Sequence, residues 1–351
     1  MPTGSRDPDV LLDWILDSMG LVRRRKGQFE GETLVGALHR IMRSTLLPAP
    51  LRGWTSRDIS EETGLSNTGI HHQMLKLREC GLVSTQVDGK WHRHVLRGGS
   101  MAAAISLVQS QARQILDIRL SELDNLVEPS ESRTSIESTE EGHPFSIRIS
   151  EPGPRVPEAD STSILVMDLG LAGEGRVVNA SLARELLLEL CSSHEPFTLL
   201  AASERLSATR GRVNTVVERM RSAGFVERVP MVGRIPQDVF SSINRQHDAR
   251  GPEWLTSKGG LGRLEKTVSD ALVDGVKFGT LDIDLVGKIL SSVPLEDQRI
   301  LLNTLGGRMP LGIRLTGRDA SEVRASVSKR ADRTLRRLHT IANRLDDSLV
   351  E

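Results

Sequence analysis

The sequence reads as a mainly α protein with short β-hairpins, built from one helical pattern used twice. Three observations carry that expectation. Apolar residues recur at three- and four-residue steps through much of the 351-residue chain. Aromatic residues make up only 3% of it and tyrosine is absent, so cores must be assembled from Leu, Val, Ile and Met, which suits helices packed on helices. A stretch beginning near Thr55 also returns 143 residues later, at Thr198.

Such a length is natural for two or three domains. Lys plus Arg equals Asp plus Glu at 46 each, so no global field attracts a polyanion and local charge decides the partner. Cys80 and Cys191 lie far apart, which is no disulfide framework and fits a reducing compartment. No apolar run reaches the roughly 18 residues that cross a bilayer. The N-terminal run VLLDWIL carries Asp13 and lacks the order of a signal peptide. The expectation is a soluble, cytoplasmic protein.

Taken in order, residues 1–30 hold an amphipathic helix (8–22) and the basic cluster Arg23, Arg24, Arg25 and Lys26, read as a solvated linker. Residues 31–98 form a compact module. Leu34, Leu38, Ile41 and Met42 mark a first helix that the Pro-Ala-Pro at 48–50 ends. A short second helix spans 55–63, with Thr55 or Ser56 as N-cap. Ser66 caps a third helix running to Cys80, where Gly81 stops it. LVSTQV and WHRHVL follow, separated by Asp-Gly-Lys, a hairpin signal. Residues 99–127 form an amphipathic connecting helix. Its seam of Ile105, Val108, Ala112, Ile115, Leu116, Leu120, Leu123 and Leu126 would pack on a partner chain or on the first module.

Residues 128–162 are rich in Ser, Glu and Pro and read as a flexible acidic linker. FSIRI (145–149) and SILVMDL (163–169) each read as a possible strand. Residues 163–245 hold the second module, in which Thr198, Thr209 and Gly224 return for Thr55, Ser66 and Gly81. Val213, Val217 and Met220 return for Ile70, Met74 and Leu77. Its first helix is SLARELLLELCSS (181–193), and its wing starts at ERVPMVGR. Residues 246–351 form a helical C-terminal region ending in a basic amphipathic helix. There a seam of Val327, Ala331, Leu335, Leu338, Ala342, Leu345 and Leu349 lies beside seven Lys and Arg residues, which would touch phosphates or simply keep a bundle helix solvated.

Helix, helix, turn, helix, hairpin is the winged helix-turn-helix order. Residues 31–97 resemble the winged-helix transcription regulators of the ArsR and MarR type, on the Ser-capped third helix HHQMLKLRECGLV and the Asp-Gly wing. The fold class expected is therefore mainly α with short β-hairpin wings: tandem winged helix-turn-helix modules plus a helical C-terminal region. In that motif the third helix enters the major groove. With Ile70, Met74 and Leu77 turned to the core, Asn67, Thr68, His71, His72 and Gln73 lie near the exposed arc, and Lys76 lies lower down. Asn and Gln suit adenine, while the wing residues Lys90, His92, Arg93 and Arg97 would neutralise phosphates or enter the minor groove. The equivalent arc of the second copy is Arg210, Arg212, Asn214, Thr215 and Arg219, and arginine suits guanine and phosphate.

Three metal-capable side chains in ten residues raise a different reading. His71 and His72 point about 100° apart on a helix, and Cys80 lies about 12 Å further along. One ion cannot hold all three, so no metal and no cofactor is expected. His92 and His94 share a strand face but have no acidic or thiol companion nearby. GxxxxGK[ST], HExxH, GxSxG and paired CxxC are all missing, and SKGGLGRLEKT (257–267) reads as a turn between helices, so no enzyme is expected. The function expected is DNA-binding transcriptional regulation, with double-stranded DNA as partner and a homodimer formed through residues 101–126, the C-terminal helix, or both. The alternative is a non-enzymatic scaffold in which tandem winged helices grip protein, through the second module or the C-terminal helix.

Overall fold

A computed structural model describes residues 4–22, 36–136, 138, 145–149, 160–173 and 178–350. The basic cluster at 23–26 and Leu34 lie outside the described residues. The first unit opens with α1 (Pro8–Ser18), capped by Asp7. A short α2 (Ala37–Ile41) continues into a π-turn, Met42–Leu46, which ends before Pro48. α3 (Ser56–Thr63) starts with a reciprocal capping box between Thr55 and Asp58. Gly64, at φ 68°, turns the chain into α4 (Asn67–Glu79), whose cap is Ser66 accepting from the Gly69 N–H at 3.2 Å. β1 (Val83–Asp88) and β2 (Trp91–Leu96) then form an antiparallel hairpin, closed by Gly89 and Lys90. The helix, helix, turn, helix, hairpin order is therefore present, and α5 (Met101–Ser121) follows it.

The second unit opens with α6 (Ser161–Asp168) and α7 (Val178–Ser192). SILVMDL is thus a helix, not a strand. The Asp160 side chain caps it, and its Leu165 and Val166 are buried among other helices, where a run without clear periodicity fits either form. β3 (Phe197–Thr198) leads into α8 (Leu199–Arg205), capped by Thr198, and then into α9 (Arg210–Ser222), capped by Thr209. β4 (Val226–Pro230) follows. Every cap and core position of the repeat keeps its role: Ile70, Met74 and Leu77 are buried, and so are Val213, Val217 and Met220.

The two units differ at the wing tip. In place of a two-residue turn, the second carries a helical bundle of α10 (Ile235–Arg250), α11 (Pro252–Ser257), α12 (Lys266–Lys277), α13 (Ile283–Leu290) and α14 (Leu295–Thr304). The bundle has its own core of Ile235, Val239, Leu272, Val286 and Leu302. Only then does β5 (Leu311–Leu315) return to pair antiparallel with β4 and β3, and α15 (Ala320–Val350) follows it. The boundary expected at 245 is therefore replaced. Residues 231–310 are an insertion at a hairpin tip, where neighbouring strand ends make insertions tolerable, and α15 belongs to the second unit as α5 belongs to the first.

Register makes α5 and α15 equivalent. Leu96 lies opposite Val83 and Leu315 opposite Val226, and the helix caps Ser100 and Asp319 come four residues later. The two helices pack antiparallel. The Asp346 carboxylate accepts from the Met101 and Ala102 N–H groups at 3.0 and 2.8 Å, complementing the start of α5. Arg324 donates to Asp124 at 2.6 Å at the other end. Between them Arg113 meets Asp332 at 3.2 Å, and these two occupy equivalent positions. Contact between equivalent positions marks a two-fold relation. The exchange is reciprocal: Leu335, Leu338, Ile341, Ala342 and Leu345 of α15 fill the first unit's core, while Ile115, Leu116 and Leu120 of α5 fill the second's. The seam expected to bind a partner chain or the first module alone is thus covered from within the same chain.

Two further expectations change. FSIRI forms no strand. It threads between the units as an extended strap, with the Ser146 N–H donating to the Ser222 carbonyl at 2.9 Å and its hydroxyl donating to the Asp17 carbonyl at 2.9 Å. Phe145, Ile147 and Ile149 face a small apolar cavity shared with Met19, Cys80, Val108 and Leu338. Residues 128–135, expected to be flexible, are docked by Arg133, which is 1% exposed. Its guanidinium donates to the carbonyls of Glu128, Cys191, Ser193 and Arg318 at 2.8–3.2 Å, so the buried charge is compensated by four backbone acceptors. Among the described residues, no helix is long and apolar enough to cross a membrane.

Candidate nucleic-acid interface

The third helix of each unit lies across its own core with one side bare. On α4, Asn67, Thr68, His71 and His72 are exposed, and Gln73 and Lys76 are half-buried. The capped start fixes where that arc begins, and the buried ladder of Ile70, Met74 and Leu77 fixes which way it faces. Arg78, in the last turn, is also exposed. It lies seven residues after His71, two helical turns along the same face, so helical period alone could have added it to the expected arc.

The wing keeps fewer cations for a ligand than its sequence suggests. Lys90 and His92 are exposed at the tip, with the Lys90 ammonium 5.3 Å from the centre of the Trp91 ring. Arg93 turns back onto Asp88 at 2.8 Å and toward the Gly53 carbonyl, and Arg97 donates to the Gly81 carbonyl at 3.1 Å. Those two hold the hairpin to its own module. His94 is buried, 2.9 Å from the Thr85 hydroxyl, while its backbone bridges Trp54. Burial, with Arg78, His92 and His71 nearby, lowers its pKa from 6.5 to about 4, so it is a neutral structural group.

In the second unit Arg210, Arg212 and Thr215 stand exposed on the first turns of α9, and the Thr215 hydroxyl bonds to the Gly211 carbonyl at 2.9 Å. Asn214 and Arg219 are placed otherwise than expected. Asn214 accepts from Arg228 at 2.8 Å, and Arg219 donates to the Ala172 carbonyl at 3.0 Å, packed over Gly173. Arg228, on β4, also holds Glu218 at 2.7 Å, tying helix to strand. Its role had no local signal, since it depends on which face of β4 meets α9.

On α15 the outer side carries Lys329, Arg333, Arg336, Arg337 and Arg344, all exposed. The equivalent positions of α5 are Ser110, Gln114, Asp117 and Ile118, and none of them is a cation. Cys80 and Cys191 are buried, and burial pushes both thiols up to about 12. Among the described residues, no group of three or more His, Cys, Asp or Glu is placed to hold a metal ion. Compared with known proteins, the chain matches no family model and no curated protein.

Proposed function

We propose that the protein is a DNA-binding transcription regulator of the cytoplasm that reads a duplex with α4 and α9. One observation carries the reading. Two structurally equivalent modules each leave bare the helix arc that a helix-turn-helix presents to the major groove, and each fills it with base-reading residues. Asn67, Thr68, His71 and His72 form one set, and Arg210, Arg212 and Thr215 the other. Lys90, His92 and the outer cations of α15 would serve phosphates. The decisive experiment is selection of bound duplexes from a random pool by the purified chain. Enrichment of a defined sequence supports the reading, and a pool returned unenriched at low salt sinks it.

A second reading, a scaffold that grips protein, draws on the apolar side chains at the same surface. Leu75 is 39% exposed, Val87 70% and Trp91 46%. It predicts no enrichment of DNA and an interface that resists salt.

A further inference from the structure

The two-fold relation inside the chain says how a duplex would be engaged. Resting on the DNA reading above, we propose that one chain binds as a monomer across two unlike half-sites of a non-palindromic duplex. A homodimer presents the same recognition helix twice, so its site repeats one half-site about a two-fold axis. This chain reaches the same arrangement internally. The α5 and α15 seams cover each other, Arg113 and Asp332 meet at the axis, and each long helix completes the other unit's core. A second copy therefore finds no free seam on either helix.

The arcs so related differ in chemistry. Asn67 and the paired histidines offer amide and imidazole groups suited to adenine and to mixed donor–acceptor edges. Arg210 and Arg212 offer guanidinium forks suited to guanine. Only the first unit ends its wing in a two-residue turn bearing Lys90. The second wing opens into the bundle of residues 231–310, so the flanks are bound by different structures as well. Sequence and footprint should both lack two-fold symmetry.

The test uses the full chain and a duplex selected by it. Sedimentation equilibrium gives the stoichiometry, and affinities for duplexes scrambled in one half or the other are compared between variants. The proposal expects one chain per duplex. Arg210→Ala with Arg212→Ala should lower affinity roughly tenfold or more and abolish discrimination in one half. Asn67→Ala with His71→Ala should do so in the other half. All four positions are exposed, and an unchanged melting temperature confirms that each variant folds. Two chains on a palindrome, or both variants losing discrimination in the same half, overturns the bipartite monomer while leaving DNA binding intact. Absence of binding to any duplex overturns the DNA reading and this proposal with it.

Discussion

Gly64 and Ser207 hold the same place in the two repeats, the turn between the second and third helices. Both have positive φ, at 68° and 47°, and Ser207 is the one non-glycine among the described residues that does. A side chain in that region is strained, whereas glycine adopts it freely. A Cβ added at Gly64 meets nothing within 4 Å, so its cost is backbone strain alone. Gly64→Ala should lower unfolding free energy by about 1 kcal/mol. Ser207→Gly should raise it by somewhat less than about 1 kcal/mol, since glycine's freedom in the unfolded chain offsets part of the gain. Urea midpoints measure both, and a lower midpoint for Ser207→Gly would contradict the strain assigned to this turn.

His94 supplies a pH-dependent term. Its folded pKa of about 4 lies below the ordinary 6.5, so between those values the unfolded chain binds the extra proton. The stability from keeping it neutral is complete above pH 6.5 and is lost as pH falls toward 4. The amount is on the order of 3 kcal/mol. His94→Gln should flatten the stability curve across that window. Equal acid loss in variant and parent would place the sensitivity elsewhere.

Among the elements, the strap 145–149 depends on close approach to glycine. Gly170 sits at φ 65°, and a Cβ there would lie 2.7 Å from the Arg148 carbonyl oxygen and 2.8 Å from the Arg148 Cβ. Gly170→Ala should therefore lift the strap from between the units. Limited proteolysis should cut at 145–149 several-fold faster while helix content holds; an unchanged cleavage rate would show that the strap does not rest on this contact. What was legible in the sequence follows the range of the interactions. The caps Thr55, Ser66, Thr198 and Thr209 and the stop glycines are local signals and appear as read, and the hairpin appears too, with Asp88 paired inside β1 and Gly89-Lys90 as its turn. The strap was not legible, because three alternating apolar residues mean a strand only if a partner strand exists. Nor was the pairing of β4 with β5 across residues 231–310. The Leu-x-Gly before a helix cap, shared by Leu96–Gly98 and Leu315–Gly317, was the available hint.

Over the whole molecule, the repeat legible over one stretch extends to the strands and the long helices, and its two copies close on each other. That closure turned the expected dimer helix inward and left the third helices and the outer side of α15 as exposed charged or polar surfaces. The helix part of the candidate site was legible, since helical period alone separates Asn67, His71, Arg210 and Arg212 from the core. The inward turns of Arg93, Arg97 and Arg219 depend on carbonyls at Gly53, Gly81 and Ala172, and that of Asn214 on the donating Arg228 guanidinium, partners that periodicity does not report.

The most direct measurement is cleavage of the selected duplex by a reagent tethered to a single introduced cysteine. Thr68→Cys would place it on α4 and Thr215→Cys on α9, both exposed positions. Cys80 and Cys191 are buried with thiols held near 12, so they do not compete for the label. The account predicts two separate cleavage clusters on one duplex, one from each variant. Cleavage by neither, or by both at the same base pairs, would contradict it.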